Sequence, residues 1–581
     1  MEILLMMAVV FFGYIIMYRF YGKFLSRKIF HLSGNAETPA VKYEDGIDFV
    51  PTKKEVIFGH HFTSIAGTGP IVGPAIAIIW GWLPALIWVF LGSAIMGAVH
   101  DFGALVISLR NQGKSISEFT AKYINSRTRF FFFVIVFLAL WIVISIFGLV
   151  IAIIFNMYPS SVFPVWLQIP IAVYLGHLIY KKGKNIFTWS VIALFVMYGS
   201  VIVGNYMPLA MPSFFGIAPT GIWTIILLIY AYIASVLPVT TLLQPRDFIN
   251  AYQLIVAMVL LGLGAFSASI FGNMEVVAPA VQMSPENAPP MWPFLFITIA
   301  CGAISGFHSL VASGTTAKQV RSESDSLFVG YGSMLVEGSL ATLVIIAVSA
   351  GIGMGYTNQA GTTLYGIEAW STHYSSWTAA AGLGSKVSAF VVGAANMMAT
   401  IGIPKQIGIV VMGLFVASFA GTTLDTATRI QRYVVTELGT DMKIELFRNR
   451  YISTAFVVIT AALLAFASGS SGKGALTLWP LFGAVNQTLA ALALIIITLY
   501  LKSKGGLKWV IAGVPAIFMS VMTLWASVMN QVEFGTSQNL LLQIVNGVII
   551  FIVLWVIGEG LIKFFSPNRV PELTEETVDI V

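Results

Sequence analysis

The sequence predicts an all-α protein that crosses a membrane many times. Apolar residues make up 57% of the 581 residues and charged residues only 10%, whereas charged residues make up about 25% of a typical soluble domain. Apolar runs recur from the first residues to about residue 562, and each is close to the roughly 20 residues that span a bilayer core. Glycine and proline interrupt two of these runs, a pattern typical of transporters that bind their substrate at membrane depth.

The apolar runs predict about fifteen transmembrane helices. We place them at 3–18, 55–80, 84–109, 130–155, 165–180, 187–204, 221–242, 252–271, 293–317, 328–352, 406–427, 451–468, 478–500, 508–528 and 540–562. The first run lacks a basic start and a small-residue cleavage site, so we expect a retained span rather than a signal peptide. The segment 386–404 disturbs the alternation of loops if it spans, and we expect it to be re-entrant or to lie along the outer face.

The basic residues predict the orientation of the chain. If alternate loops share a side, all but three of the 31 Lys and Arg residues fall on one side, the exceptions being Lys386, Lys405 and Lys473. The positive-inside rule makes that side cytoplasmic. The N-terminus is then outside and the C-terminus in the cytoplasm. The net charge of +6 is accounted for by these loops and gives no indication of a nucleic-acid partner.

Two interrupted spans predict an inverted repeat. Span 55–80 contains the sequence GTGP, runs from inside to outside and has a counterpart in span 221–242, which runs the other way and contains SVLPVTT. Residues 55–204 and 221–427 then form two five-helix sets of opposite orientation, each opening with a broken helix. Residues 1–54 provide one further span and a cytoplasmic loop. Residues 451–581 provide about four accessory helices and a short tail.

A break at membrane depth predicts a binding cavity, because unpaired N–H and C=O groups cannot face lipid. The half-helix end at Pro70–Gly73 offers N–H groups and a positive dipole end to a carboxylate, and the carbonyls of the inner half suit a cation. The alternative is that these glycines and prolines only permit kinks or close packing. The substrate-contact candidates are Ala66, Gly67, Thr68, Gly69, Pro70 and Gly73 in the first break, and Thr240, Thr241 and Gln244 in the second.

Three stretches carry a family resemblance. GHHFTSIAGTGPIVGPAIA, MGAVHDFGALVISLRNQGKSISE (96–118) and SGSSGKGALTLWPLFGAVNQTLAALAL (468–494) resemble signature stretches of the carbon starvation (CstA) family of bacterial inner-membrane proteins. The resemblance runs from about Gly59 to Leu494. It implies uptake of peptides or of pyruvate, and kinship with amino acid–polyamine–cation transporters of the LeuT-type five-plus-five fold. It does not decide between the two substrates.

Span 293–317 carries a row of small polar side chains. Ser305, Ser309 and Ser313 lie four apart on one helix face, where small hydroxyls commonly let helices pack closely. In the five-plus-five frame this is the eighth core helix, which in sodium-coupled relatives helps to hold a cation. The resemblance therefore makes Ser309, Ser313, Thr315 and Thr316 ion-site candidates. His308 is a proton-carrier candidate and, with Ser305, a candidate substrate contact.

Other ionisable residues within spans are candidate proton carriers, because such groups usually face a cavity. His60 and His61 lie on the cytoplasmic half of the first broken span. Adjacent helical residues point about 100° apart, so the pair is not expected to chelate one metal. Each histidine could carry a coupling proton or be a hydrogen-bonded packing residue. Glu337 has apolar or small neighbours and is the preferred membrane-depth acid, since burial favours its protonated form.

Four further charged residues lie near the predicted cytoplasmic ends of spans. Asp101 could take part in coupling and Asp425 in gating, but we favour simpler roles as ion-pair partners of Arg110 and Arg429 near the interface. Arg246 and Asp247 either form an inner gate beside the second break or cap a helix. The gating candidates are thus Arg246, Asp247 and Asp425.

Enzyme signatures are weak. The stretch SGSSGKGAL fails the P-loop pattern, because Lys473 is followed by Gly474 and residue 467 is Ala. The single cysteine, Cys301, lies in an apolar run, so it predicts a packing residue and no disulfide or thiolate–metal framework.

We expect no cofactor and no enzymatic activity. The prediction is a proton-coupled secondary transporter of pyruvate or short peptides in the bacterial cytoplasmic membrane. The alternatives are a sodium-coupled transporter of the same fold, a passive channel, and a membrane metalloenzyme using His60, His61, His100 and Asp101.

Overall fold

Long helices form most of the chain, because apolar segments at membrane depth can satisfy their backbone polar groups only within a helix. The computed structural model describes residues 2–272, 274–358 and 360–566. The predicted cytoplasmic tail at 567–581 lies outside the described residues. The first helices are α1 (Glu2–Met17), α2 (Pro39–Lys42), α3 (Lys54–Ile65), α4 (Gly69–Ala77), α5 (Trp82–Leu91), α6 (Ala98–Leu109), α7 (Ile116–Tyr123), α8 (Ser126–Met157), α9 (Val162–Gly176), α10 (Ile186–Tyr206), α11 (Pro219–Val236) and α12 (Leu243–Phe271).

The remaining helices follow a long connection after α12. They are α13 (Met291–Thr298), α14 (Gly306–Gly314), α15 (Ser333–Ser349), α16 (Gly366–Tyr374), α17 (Trp377–Ala381), α18 (Leu383–Ala399), α19 (Lys405–Asp441), α20 (Arg450–Ala465), α21 (Trp479–Ser503), α22 (Val510–Thr536) and α23 (Leu540–Phe565). Strands β1 (Tyr356–Thr357) and β2 (Thr363–Leu364) pair antiparallel, with Tyr356 opposite Leu364. Short π-helical and 3-10 turns extend several helices, so that α5 and α6 form one continuous span over Trp82–Leu109.

Within the described residues, twelve helical stretches are long and apolar enough to cross a membrane, and each coincides with a predicted span. The pair α3 and α4 forms a thirteenth if it is counted as one bent span. The other two predicted spans correspond to α20, which is shorter, and to α13 with α14. Helix α18, over most of the segment 386–404, is likewise a short apolar helix. The total of fifteen spans and the re-entrant character of α18 stay predictions.

The first predicted break is confirmed. Helix α3 ends at Ile65, α4 begins at Gly69, and the two halves are bent by 43°. Pro70 lacks a backbone N–H and cannot continue the hydrogen-bond ladder of α3, but it fits the first turn of a new helix. The sequence GTGP therefore ends one helix and starts the next within one bent candidate span.

The prediction of a helix break within span 221–242 was wrong. Helix α11 ends at Val236 and α12 begins at Leu243, so residues 237–242 connect two separate candidate spans. Leu237 has extended backbone angles, φ −72° and ψ 151°, because the residue before a proline is disfavoured in the helical region. Pro238 thus marks a connection between spans rather than a break within one.

A second interruption occurs where the sequence predicted a continuous helix over 293–317. Helix α13 ends at Thr298 and α14 begins at Gly306, leaving seven residues, 299–305, outside both helices. Gly302 has φ +90°, and a Cβ at this position would lie 2.7 Å from Ala341 Cβ. Only glycine fits this conformation and this space. We call residues 66–68 the first break and residues 299–305 the second break.

The helices around the two breaks are arranged reciprocally. Helix α4, which follows the first break, packs against α15, and α14, which follows the second break, packs against α6. Helix α3 packs along α12, while α21 packs along α14. The long helices α8 and α19 cross the middle and contact each other extensively. Both breaks therefore lie inside the helical bundle rather than at its lipid-facing surface.

Candidate functional site

The first break contacts the second break and helix α19 through glycine positions. A Cβ on Gly69 would collide with Cys301 Cβ and Sγ, and a Cβ on Gly67 would collide with Thr423 Oγ1 of α19. A Cβ on Gly73 would lie 2.7 Å from the carbonyl oxygen of Thr298. The absence of side chains at these positions is what lets the two interrupted segments touch.

A cavity of about 720 Å³ ends at this contact. Its floor includes residues of both interrupted segments, Thr68, Gly69, Gly73, Thr298 and Cys301. The loop Asn287–Pro290, helix α17 and the start of α21 also line the cavity, and the predicted topology places these segments outside. Aromatic side chains form much of the wall, namely Phe147, Phe294, Trp377, Trp479, Phe482 and Phe534. Glu533 is the single charged residue among the described residues that line it.

The first break leaves backbone donors free. Among the described residues, the amide N–H groups of Gly67, Thr68 and Gly69 donate to no backbone acceptor, whereas the carbonyl of Thr68 accepts from Ile71 and Val72 at 3.2 and 2.9 Å. Thr68 and Gly69 also line the cavity floor. Free N–H groups at the start of a helix are suited to an anion, and the cavity lining offers no Lys, Arg or His side chain for that role.

A buried cluster of two histidines and two carboxylates lies beside the second break. Asp101 accepts from His100 Nδ1 at 2.7 Å through Oδ1 and from His308 Nδ1 at 3.0 Å through Oδ2. On its other edge, His308 Nε2 lies 3.5 Å from Glu337 Oε2. All four side chains are fully buried. The cluster brings together residues of α6, α14 and α15 that are far apart in sequence.

Side chains of α15 and α21 form hydrogen bonds with the backbone of the second break and the start of α14. Glu337 Oε1 accepts from the backbone N–H of Gly302 at 3.0 Å. Asn486 of α21 accepts from the backbone N–H of Phe307 at 2.9 Å and exchanges hydrogen bonds with Ser305 Oγ. These side chains supply partners for donors that the interrupted helix cannot satisfy itself.

A second buried network joins α3, α12 and α19. His60 Nδ1 donates to Asp247 Oδ2 at 2.7 Å, and Asp247 Oδ1 accepts from Arg246 Nη2 at 2.9 Å. Arg246 also pairs with Asp425, and Tyr230 donates to the same Asp425 oxygen at 2.9 Å. The three gating candidates, Arg246, Asp247 and Asp425, therefore form one ion-paired unit. The favoured prediction that Asp425 pairs with Arg429 was wrong.

The loop before α3 is joined to α19 by ion pairs. Asp48 accepts from Arg429 Nη1 at 2.6 Å and lies 3.2 Å from Arg432 Nη2. Burial alone would raise the pKa of Asp48, but the two guanidinium groups hold this pKa well below its usual range. Arg110, the other predicted partner, pairs with Glu323 at 2.5 Å, so the favoured pairing of Asp101 with Arg110 was also wrong.

The predicted substrate contacts fall into two groups. Thr68, Gly69 and Gly73 line the cavity, whereas Ala66, Gly67 and Pro70 lie buried behind it. Thr240 and Thr241 belong to the connection between α11 and α12. The remaining candidates lie away from the cavity: Gln244 bonds Thr52, Gln319 and Tyr180, Ser305 bonds Asn486, and His308 belongs to the buried cluster.

The predicted ion-site hydroxyls also have other partners. Ser309 and Ser313 donate to the carbonyls of Gly306 and Ser309 at 2.8 and 2.7 Å. Thr315 and Thr316 bond His60 Nε2 and His61 Nδ1 at 3.1 and 2.9 Å. The histidines of α3 are therefore held by the segment that follows α14.

The four residues named for the metalloenzyme alternative do not come together in the described structure. Asp247 and Thr315 occupy both ring nitrogens of His60, and His61 turns instead toward Thr316. Among the described residues, the one group of three or more His, Cys, Asp or Glu side chains spaced for a metal is Cys301, His308 and Glu337. His60, His61, His100 and Asp101 do not assemble such a group.

Sequence reasoning missed several residues of the site. The sequence predicted Cys301 to be a packing residue, whereas the structure places it in the floor of the cavity. Ser64, Thr423 and Thr426 form a hydroxyl cluster behind the first break, with Ser64 Oγ 3.0 Å from Thr426 Oγ1 and Thr423 Oγ1 donating to the Ser64 carbonyl at 3.2 Å. The sequence TTLDT over 422–426 could have indicated Thr423 and Thr426, because three hydroxyls and a carboxylate are unusual within an apolar span.

Comparison with known proteins identifies the family. The model of the family "Carbon starvation protein CstA" matches residues 2–526. The chain belongs to the carbon starvation protein CstA family. Its relatives include "Peptide transporter CstA" of Campylobacter jejuni, which is 35% identical over 570 residues, covering 89% of this chain and 78% of that protein. "Pyruvate/proton symporter BtsT" of Escherichia coli is 32% identical over 578 residues, covering 88% of this chain and 79% of that protein.

A solved structure shows the same fold class as this CstA family member. The crystal structure of MhsT in complex with L-phenylalanine aligns with a TM-score of 0.50 at 13% sequence identity, covering 88% of this chain and 99% of that chain. MhsT is a LeuT-fold transporter. This likeness supports the expected LeuT-type architecture and, at so low an identity, says nothing about the substrate.

Proposed function

We propose that the protein is a secondary active transporter that imports pyruvate or a short peptide, coupled to protons, by alternating access. The observation that carries this proposal is a cavity of about 720 Å³ whose floor is formed by two touching helix breaks. Ligand pockets for small molecules typically have volumes of about 300–1,000 Å³. Broken helices at a cavity floor are the usual substrate site of inverted-repeat transporters.

A carboxylate is the substrate group that the cavity floor suits best. The free N–H groups of Thr68 and Gly69 and the start of α4 provide donors and a positive dipole end. Relatives are named for peptide transport and for pyruvate–proton symport, and both kinds of substrate carry a carboxylate. The exposed Glu533 on the cavity wall adds a partner for the ammonium group of a peptide, a group that pyruvate lacks.

The buried cluster of Asp101, His308 and Glu337 is the proposed proton-coupling site. The 3.5 Å separation of His308 Nε2 from Glu337 Oε2 allows one proton to be shared or exchanged between them. Glu337 also holds the backbone of Gly302 at 3.0 Å, next to Cys301 in the cavity floor. A change in the protonation of Glu337 would therefore act directly on the second break.

A sodium ion is the second candidate for coupling. The oxygens that would hold it are those of Ser64, Thr423 and Thr426, which cluster behind the first break within hydrogen-bond distance. This set stands beside Ser309 and Ser313, whose hydroxyls donate to helix carbonyls, and it differs from them in lying against the first break. Hard oxygen ligands are suited to such a cation.

For alternating access we propose two structural repeats, the first beginning with α3–α4 and the second with α13–α14. The reciprocal packing of α4 on α15 and of α14 on α6 supports this boundary over one at residue 221. The network of Arg246, Asp247 and Asp425 is the proposed inner gate, with the N-terminus outside and the C-terminus in the cytoplasm. The helix pairs α3–α4 and α13–α14, which contain the breaks, would rock against α8 and α19 and so open the site on alternate sides of the membrane.

Transport by purified protein in liposomes tests the proposal. Pyruvate is compared with di- and tripeptides under separate proton and sodium gradients, first for the unaltered protein. Glu337→Gln keeps the shape of the side chain but removes its titration. We expect this variant to exchange substrate across the membrane at equal pH but to lose accumulation driven by a pH gradient. His308→Gln and His61→Gln are the parallel tests.

The matched control is Glu368→Gln, the same change at an exposed position of α16, which should leave accumulation intact. Full pH-driven accumulation by Glu337→Gln, His308→Gln and His61→Gln would exclude a proton route through these residues. Accumulation driven by the sodium gradient alone would instead favour the hydroxyl cluster at Ser64. Flux that ignores both gradients would identify a passive channel.

A further inference from the structure

A thiol, an imidazole and a carboxylate converge where the second break meets the cavity. Cys301, His308 and Glu337 each offer one ligand atom, and these atoms lie within 4.8 Å of one another. His308 and Glu337 are fully buried, whereas Cys301 is half-buried and lines the cavity. The three residues therefore combine a shielded interior with one point of access from the cavity.

Two of the three ligand atoms have no competing partner. Within the described part of the chain, His308 Nε2 and Glu337 Oε2 make no hydrogen bond, and they lie 3.5 Å apart. Ligand atoms around a tetrahedral zinc ion, with bonds of about 2.0–2.3 Å, are separated by roughly 3.3–3.8 Å. The imidazole and the carboxylate already have this spacing. The sulfur of Cys301 lies within 4.8 Å of its co-ligands, and it would have to move closer and give up its hydrogen bond to Ser305 Oγ.

The surrounding contacts orient the ligands as a metal site requires. Asp101 Oδ2 accepts from His308 Nδ1 at 3.0 Å, which leaves Nε2 as the nitrogen with a free lone pair. Such carboxylate–histidine pairs typically support metal-bound histidines. The backbone N–H of Gly302 holds the other oxygen of Glu337 at 3.0 Å, so Oε2 remains available.

The chemistry of the ligand set selects a soft divalent cation. A thiolate and a carboxylate supply two negative charges, which compensate a divalent ion in a buried site. Sulfur and imidazole together favour Zn²⁺ or Cd²⁺ over Mg²⁺ or Ca²⁺, which prefer oxygen. We propose that Cys301, His308 and Glu337 form a binding site for a thiophilic divalent cation, entered from the cavity.

Binding of this cation should also block transport, because it occupies His308 and Glu337 and ties the second break to α15. Only this consequence depends on the proposed function. Binding itself is measured without transport, so a failure of the metal site and a failure of the transport proposal are distinguishable.

Titration of the purified protein with Cd²⁺, followed by ultraviolet absorption, tests the site. Cys301 is the only cysteine in the chain, so a cadmium–thiolate charge-transfer band has a single source. We expect one Cd²⁺ per chain, loss of the band in Cys301→Ser, and at least about tenfold weaker binding in His308→Gln and Glu337→Gln. Asp101→Asn, which acts through His308, should weaken binding by about 10–100-fold.

His373→Gln is the matched control, because His373 lies in α16 outside this cluster and bonds Ser385; its Cd²⁺ affinity should be unchanged. A band of unchanged affinity in both His308→Gln and Glu337→Gln would overturn the proposal, since the thiol alone would then hold the ion. A second measurement needs no variant. Zn²⁺ should slow alkylation of Cys301 in the unaltered protein at least tenfold, and equal labelling with and without Zn²⁺ would refute the site.

Discussion

Adding one methyl group at Gly69 should impair substrate binding by separating the two breaks. A Cβ at this position would overlap Cys301 Cβ and Sγ, and the Cys301 Cα lies only 3.8 Å away. The side chain of Cys301 cannot relieve the overlap by rotation alone, because its own Cβ is part of the collision. Either the second break must shift or the start of α4 must move, and both of these segments form the cavity floor.

The size of the effect follows from the cost of overpacking. Inserting a methyl group into a well-packed interior typically costs about 1–3 kcal/mol. If the whole cost falls on the state that binds substrate, affinity drops by roughly 5–150-fold, since about 1.4 kcal/mol corresponds to a factor of ten. Gly69→Leu adds three further carbon atoms at the same point and should abolish binding.

The double variant Gly69→Ala/Cys301→Gly removes the colliding atoms and should recover most of the affinity. Gly199→Ala is the matched control, because a Cβ at Gly199 of α10 has no neighbouring atom within 4 Å. Substrate affinity is measured by tryptophan fluorescence or calorimetry, and thermal unfolding verifies that each variant is folded. Unchanged affinity in Gly69→Ala, or no recovery in the double variant, would refute a substrate site at the contact between the breaks.

Three further predictions concern the cavity wall, the proposed inner gate and the loop that contains Asp48. Glu533→Gln should weaken peptide uptake several-fold and leave pyruvate uptake unchanged or increased, because only a peptide offers an ammonium group to Glu533; equal effects in liposome uptake would contradict this role. Asp425→Asn leaves Arg246 with Asp247 as its only anionic partner among the described residues, and should lower stability by about 3–5 kcal/mol; Arg246→Met/Asp425→Leu should lose less, as thermal unfolding can show. Asp48 has a lowered folded pKa, so its ion pairs stabilise the protein above its unfolded pKa of about 3.9 and lose this effect as the pH falls through the folded value. The Tm difference between the unaltered protein and Asp48→Asn should therefore stay constant from about pH 8 to pH 5 and shrink below about pH 4, and a difference that disappears near pH 6 would contradict this pairing.

Much of the helical framework could be predicted from the sequence, because hydropathy and basic loops report the distribution of polar groups along the chain. The first break was also predictable, since Pro70 cannot donate the hydrogen bond that would continue α3. The second break was not. Pro238 gave the stronger signal but proved to lie between two spans. Residues 299–305 contain no proline, and their glycine, Gly302, is required by a neighbour on α15 that sequence spacing alone could not place beside it.

The pairing of buried charges was harder still to predict. Sequence proximity to the interface suggested Arg110 for Asp101 and Arg429 for Asp425, whereas the structure pairs Asp101 with His308 and Asp425 with Arg246. Such partners come from helices far apart in the chain, and the penalty for an unpaired buried charge decides the pairing. Glu337 is the informative exception, because its apolar neighbours in sequence indicated deep burial whatever its partner.

The two sides of the site are held by different kinds of contact, and this difference bears on how it could open. Toward the cavity, the breaks touch through glycines and apolar walls, so substrate can enter without rupture of an ion pair. On the opposite side, His60 joins α3 to α12 and to the segment after α14, while Arg246 joins α12 to α19. These buried polar contacts share partners, so the loss of one leaves its neighbours unpaired and more costly to keep. The proposed inner gate should therefore open as a single concerted step rather than contact by contact.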